Sequence, residues 1–115
     1  MPYIRAYSAM KATPHECVFC AALQQDDSPE NLIVFRGERA FVTLNRFPYA
    51  SGHLMVLPFE HVARLEMLDA TTRAEMMELV NQSTGVLQAV YAPEGFNLGA
   101  NLGAAAGAGI EKHVH

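Results

Sequence analysis

Two histidines, His113 and His115, stand two positions apart at the C-terminal end of the sequence. Because residues two apart on a β-strand point to the same face, these side chains would project side by side. Two neighbouring imidazoles can bind a metal ion, exchange a proton, or act as a nucleophile with a supporting neighbour. Histidines at a chain end are also common as remnants of affinity tags. The spacing alone leaves a functional and an accidental origin equally open.

Cys17 and Cys20 form a Cys-x-x-Cys motif near the start of the chain. Its spacing suits tetrahedral zinc or a redox pair, but a redox pair is expected in a thioredoxin-like βαβ setting, which this sequence does not offer. Zinc would need two further ligands, and the histidines available for this are His15, His53, His61, His113 and His115. The alternative is that both cysteines pack as small apolar residues.

A glycine-rich stretch leads directly into the two terminal histidines. Its glycine and amide residues are Asn97, Gly99, Asn101, Gly103, Gly107 and Gly109. Glycines allow the backbone to approach a ligand closely, and their N–H groups can form an anion-binding nest. Beside two histidines such a loop could seat a phosphate group for attack. Without those histidines, a plain flexible loop would be the better interpretation.

Asn45 closes an apolar run in the middle of the chain. Its amide could hydrogen-bond a sugar hydroxyl, or it could merely end a strand through local backbone bonds. Asparagine is common at strand ends, so the residue type alone favours the second interpretation.

Strand patterns dominate the first half of the chain. Residues 32–36 and Ala40–Leu44 are rich in β-branched and aromatic side chains, with three turn residues between them, which predicts a hairpin. Residues 53–57 predict a third strand closed by Pro58, which cannot donate to a ladder.

One helix is predicted over residues 71–91, where apolar side chains recur at helical spacing. Asp69 or Thr72 can cap it, Thr72 and Glu75 fit a capping box, and Pro93 follows its end. Residues 95–101 predict a fourth strand and residues 111–115 the start of a fifth. An antiparallel sheet of about five strands with one main helix packed on it belongs to the α+β class.

The composition restricts the partners. The 115 residues suffice for one domain, with residues 1–16 as a loosely docked arm, and the net charge of −4 offers no basic surface for nucleic acid. No apolar run approaches the roughly 20 residues of a membrane span, and the N-terminus lacks the apolar centre of a signal peptide. We therefore expect a cytoplasmic protein with reduced cysteines. A small anionic ligand remains compatible with this charge, because backbone N–H groups bind phosphate.

Three segments together resemble the histidine-triad superfamily and occur in its order. They are CVFC, FVTLNRFPYASGHLMVLPFEHV and GFNLGANLGAAAGAGIEKHVH, and the resemblance covers residues 17–115. The family's motif is His-x-His-x-His followed by two hydrophobic residues, of which this sequence supplies the first two histidines. Within the superfamily, LNRFPYASGHLMVLP and NLGAAAGAGIEKH are most similar to bacterial diadenosine-tetraphosphate phosphorylases.

The resemblance implies an enzyme that cleaves dinucleoside polyphosphates at the α-phosphate. A histidine attacks the phosphorus, and the nucleotidyl-histidine intermediate is resolved by water or by phosphate. By position, His115 would be the nucleophile. A general purine-nucleotide phosphoramidate hydrolase is the alternative within the family. Two alternatives are not enzymes. One is a non-catalytic nucleotide-binding module, and the other is an interaction domain that a structural zinc ion stabilises.

The same resemblance assigns the remaining site residues. A structural zinc ion would be held by Cys17, Cys20, His61 and His113. The nucleotide would be held by Asn45 at the ribose, by His53 in the site wall, and at the phosphates by Asn101, Gly107, Gly109 and Ile110.

Two further expectations concern the whole protein. Because the motif is incomplete after His115, we expect the chain to be a fragment of a longer protein, an idea that an intact native mass near 12.6 kDa would contradict. The resemblance also implies a homodimer, to which Met76, Met77, Val80 and Val86 could contribute. A helix that covers its own sheet explains those four residues equally well.

Overall fold

Three antiparallel strands form the sheet of this protein in a computed structural model. The structure describes residues 17–26, 31–45, 52–108 and 112–115, so the predicted arm at 1–16 lies outside the described residues. The strands are β1 (Ile33–Arg36), β2 (Ala40–Leu44) and β3 (Leu54–Pro58), in the spatial order β1-β2-β3. The predicted α+β class with an antiparallel sheet and one main helix is confirmed.

The predicted hairpin is present, with small differences at its ends. The amide of Gly37 donates to the carbonyl of Ala40 at 2.8 Å and closes the turn. Leu32 has a positive φ of 67°, outside the extended region, so β1 begins one residue later than predicted. At the end of β3, Pro58 lies inside the strand and pairs with Ala40. The ladder bond here runs from the amide of Phe59 to the carbonyl of Arg39, so this position needs no N–H from Pro58.

The two faces of the sheet are covered by different helices. On one face, Phe41 of β2 packs with Leu57 of β3 and with Phe19 of the short helix α1 (Val18–Leu23). On the other face, Ala40 and Val42 pack with side chains of α2 (Ala70–Tyr91). This alternation follows from the period of two along β2, and it buries the strand on both sides.

The long helix α2 matches the prediction to within one residue and is capped by one of the two predicted residues, but Glu75 acts differently. Of the two candidate caps, Asp69 is used, and its Oδ1 accepts the amide of Thr72 at 2.7 Å. The predicted capping box is wrong. Glu75 instead accepts the amides of Arg39 and Ala40, both at 2.7 Å, and so fastens the helix to the β1–β2 turn.

The side of α2 that carries Leu79 is less covered towards the end of the helix. Leu79 is buried, at 5% exposure. Val86 and Val90 are seven and eleven residues further on, which brings them back to the same side of a helix. They are nevertheless 59% and 66% exposed. Residues 94–107, which follow the helix, are exposed throughout.

The predicted fourth and fifth strands are wrong for the described residues, which contain three strands. Residues 95–101 are exposed and form no ladder, because alternating side chains do not supply the neighbouring backbone that a strand needs. Residues 112–115 do approach the sheet, since Nε2 of His113 lies 2.9 Å from the carbonyl oxygen of Pro58 in β3. The amide of Val114 also donates to the carbonyl of Val62, beyond that strand, at 2.6 Å. Between these segments, residues Ala104–Ala106 form a 3-10 turn.

None of the helices in the described parts of the chain combines the length and the apolar character needed to cross a bilayer.

Candidate metal centre and active site

Four side chains from three distant parts of the chain converge on one point of the α1 face. Cys17 is the N-cap of α1 and Cys20 lies in its first turn, while His61 follows β3 and His113 comes from the C-terminal segment. Their ligand atoms all lie within 4.8 Å of one another. These are the four residues that the resemblance assigns to a metal, and we call them the ligand cluster.

The spacing within the ligand cluster fits a tetrahedral ion. Sγ of Cys20 lies 3.4 Å from Nδ1 of His61 and 3.6 Å from Nδ1 of His113, and Sγ of Cys17 lies 3.6 Å from the same His113 nitrogen. Zinc–ligand bonds of about 2.3 Å to sulfur and about 2.05 Å to nitrogen give tetrahedral S···N edges of about 3.6 Å. The cysteines are free thiols, so the cluster can hold a metal ion with two sulfur and two nitrogen ligands.

A backbone carbonyl sets the orientation of His113. Its Nε2 lies 2.9 Å from the carbonyl oxygen of Pro58, which can only accept, so Nε2 carries the proton. The lone pair of His113 is therefore on Nδ1, the nitrogen that faces both thiols. Such a bond on the far ring nitrogen is how metal-binding histidines are commonly held.

Burial favours the uncharged forms of His113, His61 and Cys20. It lowers the pKa of His113 to about 4, although the bond to Pro58 acts in the opposite direction. Burial, together with Lys112, lowers the pKa of His61. Burial and the adjacent Cys17 raise the pKa of Cys20 to about 12. Both imidazoles are thus neutral and able to bind a metal, whereas Cys20 would lose its proton on binding.

The helix that carries both cysteines is also held at its other end. Arg36 of β1 donates from its two terminal nitrogens to the carbonyls of Leu23 and Gln25, at 3.3 Å each. These carbonyls have no helical partner at the end of α1, so the guanidinium satisfies them and adds a favourable charge there. The position of Cys17 and Cys20 is therefore fixed relative to the sheet.

His115 lies immediately beyond the ligand cluster. Its Nδ1 lies 3.0 Å from the carbonyl oxygen of His113, so Nδ1 donates and the lone pair is on Nε2. Its ring packs against Phe19, with 5.4 Å between ring centroids. Burial and the charge of His53 lower the pKa of His115, which keeps the imidazole neutral and its Nε2 nucleophilic.

Asn45 and His53 are brought together next to this histidine. They occupy the ends of β2 and β3, and the amide nitrogen of Asn45 lies 3.4 Å from Nδ1 of His53. A hydrogen bond of the same length, from the backbone amide of Asn45 to the backbone carbonyl of His53, joins the same two residues. The predicted ribose-contacting residue and the predicted wall residue therefore form one unit.

The predicted phosphate-contacting residues are less closely connected to the other site residues. Asn101 and Gly107 are exposed neighbours, since a Cβ added to Gly107 would meet the Asn101 amide at 3.8 Å. Gly107 has a φ of 99°, a conformation that glycine adopts without strain. Neither residue hydrogen-bonds to His115 in the part of the chain that the structure describes. Gly109 and Ile110 lie outside the described residues.

Sequence reasoning gave no role to Phe19, Pro58 or Arg36. Phe19 contacts His115, Pro58 orients His113, and Arg36 holds α1. For Phe19 a signal existed, because an aromatic residue between two metal-ligating cysteines must lie within one helical turn of both. A backbone carbonyl such as that of Pro58 leaves no trace in residue type.

This chain is similar to several known proteins. A family model described as the HIT domain matches residues 26–115, most of the chain. AP-4-A phosphorylase of Mycobacterium tuberculosis strain H37Rv is 40% identical over 93 residues, covering 81% of this chain and 48% of that protein. The chain thus spans about half the length of this relative.

Two further similarities extend the comparison. Adenosine 5'-monophosphoramidase hnt1 of Schizosaccharomyces pombe is 29% identical over 99 residues, covering 86% of this chain and 69% of that protein. The solved structure of a Zn-bound histidine triad family protein from Mycobacterium smegmatis superposes with a TM-score of 0.74 at 24% identity, covering 90% of this chain and 73% of that one. The second similarity concerns the fold.

Proposed function

This chain belongs to the HIT domain family, and from that premise we propose that it cleaves dinucleoside polyphosphates of the diadenosine-tetraphosphate type at the α-phosphate. The observation that carries the proposal is the placement of His115. Its Nδ1 proton is held by a backbone carbonyl, which leaves Nε2 with a lone pair on a neutral, half-buried ring. The 40% identity to an AP-4-A phosphorylase supports this choice of substrate class.

In the first step, Nε2 of His115 attacks the α-phosphorus. A P–N bond forms, the P–O bond to the rest of the substrate breaks, and the leaving nucleotide departs with the electron pair. The ring gains positive charge as the P–N bond forms. The carbonyl oxygen of His113 lies 3.0 Å from the protonated Nδ1 of His115 and stabilises that charge without any rearrangement.

In the second step, an oxygen nucleophile attacks the same phosphorus and the P–N bond breaks, which returns His115 to its neutral state. Phosphate as the nucleophile gives a nucleoside diphosphate, whereas water gives a monophosphate. Splitting one difficult displacement into two is the advantage of a covalent intermediate.

The remaining site residues hold the substrate in this proposal. Asn45 hydrogen-bonds the ribose hydroxyls, and His53 forms part of the wall beside them. Asn101, Gly107, Gly109 and Ile110 contact the phosphates, for which backbone N–H groups suit an anion without a net positive charge.

The metal of the ligand cluster is zinc in this proposal, with a structural role. Two thiolates and two imidazoles form a closed tetrahedral set, which leaves no coordination position for substrate. When bound, zinc would add rigidity to the site. Metal analysis of protein purified without chelator should give one zinc per chain, and a ratio near zero would refute the four-ligand assignment.

The decisive experiment is incubation of the intact protein with diadenosine tetraphosphate, with and without inorganic phosphate, followed by anion-exchange separation. We expect ADP and ATP, formed only when phosphate is present. AMP formed regardless of phosphate would instead indicate a hydrolase. That outcome would favour the second candidate, a phosphoramidate hydrolase, which the similarity to hnt1 supports. Nucleotide binding without any product would favour a non-catalytic module.

We also propose a homodimer in the cytoplasm, where the thiols stay reduced. Of the four residues that could contribute to a dimer face, Met76 packs against the protein's own core and Val80 is half-buried. Met77 and Val86 are exposed, together with Val90 on the same helix. Val86 and Val90 lie on one side of the helix, and an uncovered apolar side of this kind supports a contact with a second copy, whereas Met77 lies on the opposite side.

A further inference from the structure

Phe19 contacts both the ligand cluster and His115. It lies between Cys17 and Cys20 in the chain and is 6% exposed. Its ring is perpendicular to that of His113, with centroids 5.6 Å apart. On the other side it meets the ring of His115 at 5.4 Å with an interplanar angle of 56°. Both distances lie within the range of attractive aromatic contacts.

The position of Phe19 is set by the same helix that carries the thiols. Within a six-residue helix, a residue flanked by two ligands cannot move without them. Arg36 fixes the opposite end of α1, and the core residues Ile33 and Phe41 belong to the same buried cluster as Phe19. The ring of Phe19 is therefore held wherever the ligand cluster holds α1.

His115 needs such a neighbour. Its single described hydrogen bond, from Nδ1 to the carbonyl of His113, fixes the tautomer but allows the ring to pivot about the N–H···O axis. A pivot would swing Nε2 away from the line of attack on phosphorus. The ring of Phe19 occupies one side of His115 and limits this rotation.

We infer that Phe19 is a positioning residue, which transmits the placement of α1 by the metal ligands to the ring of His115. The inference deepens the proposed function and rests on it for its kinetic consequence. Metal and nucleophile are thereby coupled through packing, in addition to the backbone that joins His113 to His115. No chemistry is assigned to Phe19 itself.

The kinetic test compares Phe19→Leu with Leu79→Ala in the zinc-loaded protein. The two positions are similarly buried, at 6% and 5% exposure, but Leu79 belongs to the cluster on the opposite face of the sheet. We expect Phe19→Leu to lower kcat by between about tenfold and about a hundredfold, as misplaced reacting groups do, with a smaller change in KM. Leu79→Ala should leave kcat within a few-fold of the original. Equal loss of kcat in both variants would overturn the inference.

A second variant covers the case in which Phe19→Leu does not fold. A second readout separates this inference from the proposed function, because it needs no turnover. Phe19→Met keeps most of the volume and removes the flat ring. The ¹⁵N and ¹H signals of the His115 ring, recorded with zinc and after its removal, report ring placement without any substrate. We expect the zinc-dependent change in these signals to be smaller in Phe19→Met than in the original protein. An unchanged difference would refute the coupling, whereas absence of turnover in the original protein would refute only the proposed function.

Discussion

The ligand cluster and the segment from Val86 to Gly107 are built in opposite ways. In the ligand cluster, two cysteines and two histidines are placed by contacts that come from α1, β1 and the end of β3. In the other region, Val86 and Val90 lie on the same side of α2 as the buried Leu79 yet are exposed. In the glycine-rich stretch, the amides of residues 106–108 donate to the carbonyls of Gly103 and Ala104. The ligand cluster is complete within the described residues, whereas the other region leaves apolar side chains exposed.

The difference indicates which parts of this chain hold their geometry through their own contacts. Side chains that must hold a fixed geometry for a metal or a nucleophile are positioned by backbone carbonyls and by packing. Residues that would surround a larger ligand, or a second copy, are displayed on an exposed surface. Such a surface gains stability only when something binds to it.

The largest effect is expected at His115, which lies beside the ligand cluster. His115→Ala should lower turnover of diadenosine tetraphosphate on the order of a thousandfold or more, because the covalent step loses its nucleophile. Calorimetry should show nucleotide binding that is retained, since the substrate contacts lie elsewhere. Turnover equal to that of the original protein would exclude His115 as the nucleophile.

Next in size is the loss of the metal. His61→Ala removes a ligand and should abolish stoichiometric zinc binding, whereas His53→Ala, outside the ligand cluster, should retain one zinc per chain. At free zinc about a thousand times its Kd, the lost binding removes about 4 kcal/mol of stability. Metal analysis and thermal unfolding with and without chelator measure both quantities. A chelator-insensitive Tm in the original protein would show that the ordered geometry does not depend on a metal.

A smaller pair of changes divides α2 into its two halves. Leu79→Ala should cost about 2–5 kcal/mol of unfolding free energy, as is typical for a buried leucine. Val86→Ala, on the same side of the helix, should change the stability of the dilute monomer by no more than about 0.5 kcal/mol. It should instead weaken self-association in sedimentation experiments, if a second copy covers this side. Association of equal strength in both proteins would remove Val86 from the contact.

The parts of the fold that could be predicted from the sequence are those with local signals. The cap at Asp69, the apolar periodicity and Pro93 delimit α2, and the β1–β2 hairpin follows from its three-residue turn. The strand predicted at 95–101 had the right side-chain alternation, but a strand depends on a partner that alternation does not specify. Glu75 shows the same limit, because its spacing fits a capping box while its carboxylate reaches a turn 35 residues away.

For the site, the residue types that bind metal or attack phosphorus could be recognised in advance, since thiols and imidazoles are few. The resemblance to a known family indicated which histidines join Cys17 and Cys20, and the structure brings those together. What could not be foreseen is how they are oriented. Phe19 acts by packing and Pro58 by its backbone, and neither contribution is encoded in a motif.

The bond from His113 to Pro58 has a consequence for how this sequence can diverge. It ends on a main-chain oxygen, which every amino acid carries, so substitution at position 58 preserves the acceptor. Inserting or deleting one residue between Leu57 and His61 is different, because a shift of one position turns a strand's groups to the opposite face. The length of this connection is therefore under tighter constraint than its composition, and substitutions should accumulate there far more readily than insertions or deletions.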